Sequence, residues 1–176
     1  MFKYGSFKLF LIKFLFGALG SSFGIIYLLS LLSYNENDPG FTIYSDNVLN
    51  TDITNYFGVS GSYISSYSLV IVGGISYIFA FFIISEGVKA LLGIRTKFLI
   101  LRLISNIFGC LIVNIFFYSY GVSYINTGLS GYFVSEILNK HLLYGIENQV
   151  LIYIINLTLF VAGLFLIITS FSIKFK

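Results

Sequence analysis

Four runs of this chain are apolar almost without interruption, and the polar residues gather between them. The runs span roughly residues 14–32, 67–85, 99–117 and 150–171. A helix needs about 20 mostly apolar residues to cross the hydrocarbon core of a bilayer. The pattern therefore predicts four transmembrane helices. The first run ends in GALGSSFGIIYLLSLL, which has no charge, and stops at SYNENDPGF, residues 33–41. Pro39 has no amide proton and holds Asp38 in extended geometry, so a helix cannot continue through it. Gly40 is free to take positive φ in the turn that follows. Asn35, Asn37 and Asp38 are suited to satisfying helix-end or turn groups locally. On these grounds alone the segment reads as a helix stop.

The segments after the first and third runs share a phrase. Residues 58–65 read GVSGSYIS and residues 128–135 read GLSGYFVS. Each lies between one span and the next, which suggests two hairpins of parallel topology, an internal repeat. The rival reading is a chance match in a Gly/Ser/Tyr-rich chain. Both phrases open amphipathic stretches that predict short helices at the membrane surface. In the second, Phe133, Val134, Ile137 and Leu138 share one face, and Ser135, Glu136, Asn139 and Lys140 share the other. Ser130 is a candidate N-cap, and Gly145 is placed to break the helix before Val150. In the first, Ile53, Tyr56, Phe57, Tyr63 and Ile64 form a similar stripe. That stretch is equally readable as the extramembrane end of span two.

Within the spans, small and amide residues recur. Gly17, Gly20, Ser21 and Gly24 fall on one face of span one, including the GxxxG of Gly20 and Gly24. Gly73, Ser76 and Ala80 repeat the device in span two. Asn106, Gly109, Cys110 and Asn114 share one side of span three, and Asn156, Gly163 and Ser170 recur every seventh residue in span four. Small residues let helix backbones approach in lipid, and asparagines hydrogen-bond between helices. Packing within a bundle or between protomers is the plain reading; a polar path for a solute past Asn106 and Asn114 is the sharper one. Intramembrane ionisable groups usually mark such paths, and the middle of every span lacks them. Glu86 and Lys89 form a local pair by spacing, Arg102 is able to snorkel to the same interface, and Glu147 stands where a helix N-terminus favours an acid.

Composition agrees: hydrophobic residues are 57% of the chain and charged residues 10%, against about 25% charged in soluble domains. Charge decides orientation. Of ten basic residues, all but Lys140 fall before span one, between or at the facing ends of spans two and three, or after span four. The positive-inside rule then puts both termini in the cytoplasm and residues 33–66 and 118–149 outside. A basic start with small residues near Ala18 and Gly20 also suits a signal peptide. However, the apolar run continues to Leu32, longer than such a segment needs.

Catalytic chemistry finds no motif. No glycine precedes a lysine, so no phosphate-binding GxxxxGK[ST] exists, and HExxH and CxxC are missing. His141 reads as a surface residue. No catalytic, cofactor or metal residues are expected. The expected fold is an all-α membrane protein, residues 1–176 forming one domain of four transmembrane helices in two hairpins, with short amphipathic helices in the outer loops.

LLSYNENDPGF after span one, NYFGVSGSYISSY before span two, EGVKALLGIR after it and NTGLSGYFVSEIL before span four occur in that order. The chain resembles the four-transmembrane N-terminal region of the FtsK family of bacterial DNA translocases. The resemblance runs from span one through span four. It implies a module that anchors a larger protein in the inner membrane at the division septum, linking chromosome partition to cell division. It also implies a homo-oligomer, hexameric as the family's motor is, with membrane lipid and other division proteins as partners. DNA would be contacted only through an ATPase motor beyond Lys176. Asp38, Pro39, Gly40, Gly58, Gly61, Gly128 and Gly131 are the first interaction candidates, with Gly20, Gly24, Asn106 and Asn114 behind them. The competing class is a small multi-pass transporter or channel subunit.

Overall fold

The computed structural model describes residues 4–41, 53–94, 97–122, 124–141, 143–146 and 148–171. Among them there are helices and turns and no strands. Six helices follow in order: α1 (Tyr4–Leu32), α2 (Gly58–Val72), α3 (Ser76–Leu91), α4 (Leu99–Ser119), α5 (Tyr124–His141) and α6 (Gln149–Ser170), with a 3-10 turn at Gly73–Ile75 between α2 and α3. Four segments are long and apolar enough to cross a membrane: Phe10–Leu32, Gly58–Leu91, Leu99–Ser119 and Gln149–Ser170. The chain is thus an all-helical multi-pass membrane protein.

Span two differs from its expected form. Residues 67–85 are not one rod, because the helix breaks in the middle of that range. Gly73 sits at φ 75°, ψ −160°, a conformation that only glycine adopts freely. A straight helix over Gly58–Leu91 would measure ~51 Å at ~1.5 Å per residue, well beyond the ~30 Å hydrocarbon core. The break divides the span: α3 runs along α1, and α2 packs on the C-terminal end of α1, where Leu69 joins Tyr27 and Leu31.

α1 and α3 form the first hairpin. Their contacts step by seven residues in opposite directions: Gly17 meets Leu91, Gly24 meets Ile84, and the Tyr77 hydroxyl donates to Leu31 O at 2.9 Å. That spacing is the signature of antiparallel helices packed in a shallow left-handed crossing. Backbones touch along it. A Cβ on Gly24 would stand 2.9 Å from Ile84 N, and one on Gly87 would collide with Ser21 N. Gly20 lies at the margin, where a Cβ would meet only Gly87 Cα at 3.6 Å. The close-packed motif is therefore Gly17, Ser21 and Gly24 rather than the Gly20–Gly24 pair, because the seven-residue seam passes through positions 17 and 24.

α4 and α6 form the second hairpin through Gly109 and Gly163, each lying where a Cβ on the other would press on its carbonyl oxygen. Asn156, Gly163 and Ser170 are all buried, as their spacing predicts. Asn106, Gly109, Cys110 and Asn114 are buried on the facing side of α4.

The loop helices depart from the expected amphipathic pattern. α2 buries Gly61, Ser62, Ser65, Ser66 and Leu69 and exposes Val59, Ile64, Tyr67 and Ile71. Its small polar face looks inward, since close packing and hydrogen bonds, not water, drive association within lipid. In α5 the predicted apolar face is divided: Leu138 packs with Ile115 and Leu143, while Phe133 and Ile137 face outward. α5 runs across α4, since Ser130 and Leu138 both meet α4 at residues 114–115. Gly145 lies at φ +82° between α5 and α6, as expected.

Gly87→Ala should destabilise the α1–α3 hairpin by about 1–3 kcal/mol, the usual cost of overpacking, whereas Gly20→Ala should be nearly neutral. Thermal unfolding of both variants in the same detergent checks this; equal losses would contradict the seam.

Candidate functional site

Two polar clusters at opposite ends of the bundle organise the molecule. The first is built on SYNENDPGF. The Asp38 carboxylate accepts from Thr54 N at 3.0 Å, Thr54 Oγ1 at 3.0 Å and Asn55 N at 2.9 Å, and Asp38 is buried. Asn55, held in place by it, donates through Nδ2 to Ser30 O and Ser33 O at the end of α1. The carbonyls left free where α1 stops are thereby satisfied from another part of the chain. Ser62 Oγ donates to Pro39 O, and Phe41 N donates to Ser66 Oγ at 2.9 Å. The segment is a clasp that binds α2 to the end of α1, as well as a helix stop.

Asn37 N donates to Asn35 Oδ1, the local turn foreseen from the sequence. Gly40 does not take positive φ; a Cβ there would strike the Ser66 side chain. Its use is close approach, because α2 packs directly on the turn. Burial first, and the neighbouring Glu36 carboxylate second, push the Tyr34 phenol above its ordinary value, so it stays protonated at neutral pH.

The two glycine phrases adopt related geometry. Gly58 and Gly128 take φ +58° and +63° at corresponding places. Three residues on, Gly61 lies against Asn55 and Phe57, and Gly131 against Thr127. At Gly128 (ψ 179°) α5 is interrupted rather than continuous. A Cβ on Gly128 would lie 2.6 Å from Gly73 N, so the two helix breaks meet backbone to backbone. Asn114 joins them: its Nδ2 donates to Val72 O at 2.8 Å and to Ser130 Oγ at 3.0 Å. Ser130 is therefore an acceptor for α4 and not an N-cap.

At the other end, Arg102 is buried and makes a two-pronged ion pair with Glu86, Nη1–Oε2 at 3.0 Å and Nη2–Oε1 at 2.5 Å. Its Nε donates to Ser170 O at 2.7 Å. Lys89 reaches Glu86 Oε1 at 2.8 Å and Phe171 O at 2.7 Å. Arg102 thus does not snorkel to solvent; the carboxylate of another span holds it inside. Both cations sit at the C-terminus of α6, where the helix dipole favours positive charge. Asn106 Nδ2 donates to Ser170 Oγ at 2.9 Å beside them.

Asp38, Pro39, Gly40, Gly58 and Gly61 come together in the first clasp. Gly128, Gly131 and Asn114 meet at the crossing of the two breaks. Gly20, Gly24 and Asn106 lie elsewhere, in the hairpin seams. Asn106 and Asn114 are both fully buried with protein partners. Sequence reasoning missed Asn55, whose position three residues before Gly58 was the available signal. It also missed the Glu86–Arg102 pair, and Asn148, which caps α6 by accepting from Val150 N at 3.0 Å. Glu147, read as the acid of that cap, lies outside the described residues, as do Asp46, Asp52, Arg95, Lys174 and Lys176. His141 is exposed. Among the described residues no three His, Cys, Asp or Glu side chains converge as for a metal.

The family profile for the 4TM region of DNA translocase FtsK/SpoIIIE matches residues 11–175. The chain belongs to this family. In FtsK/SpoIIIE translocases the 4TM region is the membrane-anchoring part, distinct from the ATPase motor. Comparison with curated proteins and with solved structures finds no match. The match takes in both polar clusters, both glycine phrases and all four FtsK-type spans.

Asp38→Ala should cost about 3 kcal/mol, since hydrogen bonds to a charged group contribute roughly 1.5–3 kcal/mol each and are not additive. It should also speed amide exchange at Thr54 and Asn55. Arg102→Leu should cost about 3–5 kcal/mol by leaving Glu86 underpaired, and Glu86→Gln combined with it should recover part of that loss. Denaturation curves and hydrogen exchange in lipid nanodiscs read all three variants.

Proposed function

We propose that this domain anchors an FtsK-type translocase at the division septum, holds its protomers together, and meets other division proteins through its loops. The family match over residues 11–175 carries the reading. The distribution of basic residues supports an orientation with both termini in the cytoplasm and the Asp38 clasp outside. The loop end supports a role in recognition: among the described residues, turns, serines and glycines are joined there by hydrogen bonds that position α2 and α5. Homo-oligomerisation, hexameric as in the family's motor, is supported by the outward apolar face of α6, with Leu157, Val161 and Phe165 exposed. Lipid covers whatever of that face neighbours do not. DNA handling belongs to a motor outside these residues. A solute path is less well supported, because the Nδ2 groups of Asn106 and Asn114 both donate to neighbouring elements.

Residues 1–176 fused to a fluorescent protein should give a midcell band in dividing bacteria. A uniform membrane signal would refute septal targeting. Cysteines placed singly at Glu36 and Lys97, with Cys110→Ala, should label from outside and only after permeabilisation, respectively. The reverse would overturn the orientation.

A further inference from the structure

A crevice of about 260 Å³ opens between the two hairpins. Its wall brings together Tyr27 of α1, Ile75 and Phe79 around the start of α3, and Ile107 and Leu111 of α4. α3 packs closely on α1 but touches α4 sparsely, and among the described residues α1 and α4 hardly meet. Ile75 is 5% exposed and Ile107 is 40% exposed, so the crevice runs from the buried joint of the hairpins out to the flank of α4. Ile104 and Phe108 are exposed on that flank too. All five wall residues belong to membrane-crossing segments. Tyr27 lies in the penultimate turn of α1, and Ile107 and Leu111 lie midway along α4. The crevice therefore sits in the loop-side half of the bilayer.

Depth, size and wall chemistry together restrict the occupant. Among the described residues the wall carries no charge and no amide. Its one serine, Ser76, already reaches Ser68 O at 3.1 Å and Gly73 O at 2.6 Å, and Cys110 Sγ faces Asn106 Oδ1 at 3.8 Å. Of the wall's side chains that leaves at most the Tyr27 phenol for a water, and a buried water needs two to four partners. Smaller apolar cavities stay dry and take up apolar molecules. A helix of a second copy, about 10–12 Å across, is too thick for this space. The volume also falls below the roughly 300–1,000 Å³ that drug-sized ligands occupy. A thin, flexible, uncharged hydrocarbon chain fits on every count, and the bilayer presents such chains at this depth, along the exposed flank of α4.

We propose that the crevice between the hairpins is a binding site for one acyl chain of a lipid from the loop-side leaflet. The chain enters past Ile107, lies between Tyr27 and Leu111, and reaches Ile75 and Phe79. It fills the space where the hairpins do not touch, so it is held by both and is distinct from the lipid that merely surrounds the helices. The inference rests on the membrane-spanning fold and does not depend on septal targeting.

Photolabelling of the unaltered chain reads this directly. The protein is placed in phosphatidylglycerol nanodiscs doped with phosphatidylcholine that carries a diazirine midway along one chain, irradiated, and mapped by peptide mass spectrometry. Adducts are expected at Ile75 and Phe79 as well as at the outward-facing Phe108 and Phe165, which are 57% and 62% exposed. A phosphatidylcholine with the diazirine in its headgroup should label neither Ile75 nor Phe79. Leu111→Phe, which fills the crevice from one side, should lower labelling of Ile75 and Phe79 about tenfold and leave Phe165 unchanged. Leu111→Trp, bulkier still, should lower it at least as far. Three results overturn the proposal: adducts confined to Phe108 and Phe165 in the unaltered chain, equal labelling of Ile75 by the headgroup probe, or labelling of Ile75 and Phe79 unchanged by both variants. In the first case, weaker self-association of Leu111→Trp in sedimentation would assign the crevice to a side chain of a second copy.

Discussion

A helix that ends in or near a bilayer leaves carbonyl oxygens with no water to satisfy them, and each such group costs several kcal/mol in hydrocarbon. Most of the polar architecture of this domain answers that constraint. Asn55 and Tyr77 donate to the last carbonyls of α1, Asn114 to the last carbonyl of α2, and Arg102 and Lys89 to those of α6. Each donor belongs to a different element from the helix it caps. By contrast α3 and α4 end locally, on Gly93 and Gly121 at positive φ, in the manner of glycine C-caps. Borrowed caps turn a local requirement into tertiary structure: a helix that needs a donor from elsewhere is stable only when that partner is docked.

The same logic accounts for the repeat. Each hairpin is held along its length by small residues, with backbones in contact at Gly24–Ile84 and Gly109–Gly163. Each carries a glycine phrase whose first glycine redirects the chain and whose second admits a neighbouring side chain. In the first half the phrase begins a helix stitched to Asp38 and Pro39. In the second it interrupts α5, which crosses α4 and meets the break in span two at Gly128. A side chain on Gly128 would collide with Gly73 N and part the two elements that Asn114 joins through Val72 O and Ser130.

Much of the fold was legible because its signals are local. Hydropathy gave the four spans, seven-residue spacing gave the buried face of α6, and Pro39 gave the end of α1. The matching phrases at 58 and 128 pointed to a repeat, and their first glycines share positive φ. What the sequence hid was long-range pairing. Asp38 reads as a turn residue because its local role is visible, whereas its partners at 54 and 55 lie across a loop. Arg102 reads as snorkelling because nothing in its own span shows that Glu86 faces it. α2 and α5 were legible as short helices at the membrane surface, but not that the serines and glycines of α2 would pack inward with its apolar residues outward.

Packing and polarity also divide the labour in space. Close van der Waals seams operate within each hairpin. Between hairpins the ties lie at the two ends: Gly73–Gly128 with Asn114 at one, and Glu86–Arg102 with the Phe82–Phe171 ring contact of 5.6 Å at the other. Midway, α3 and α4 touch sparsely, and the apolar crevice lined by Phe79 and Leu111 opens between them. The two hairpins are tied at both ends and also share the buried cluster of Ile75, Cys110, Val113 and Ile167, beside which the crevice opens. For a membrane-anchoring region, these ties fix the register of one hairpin against the other.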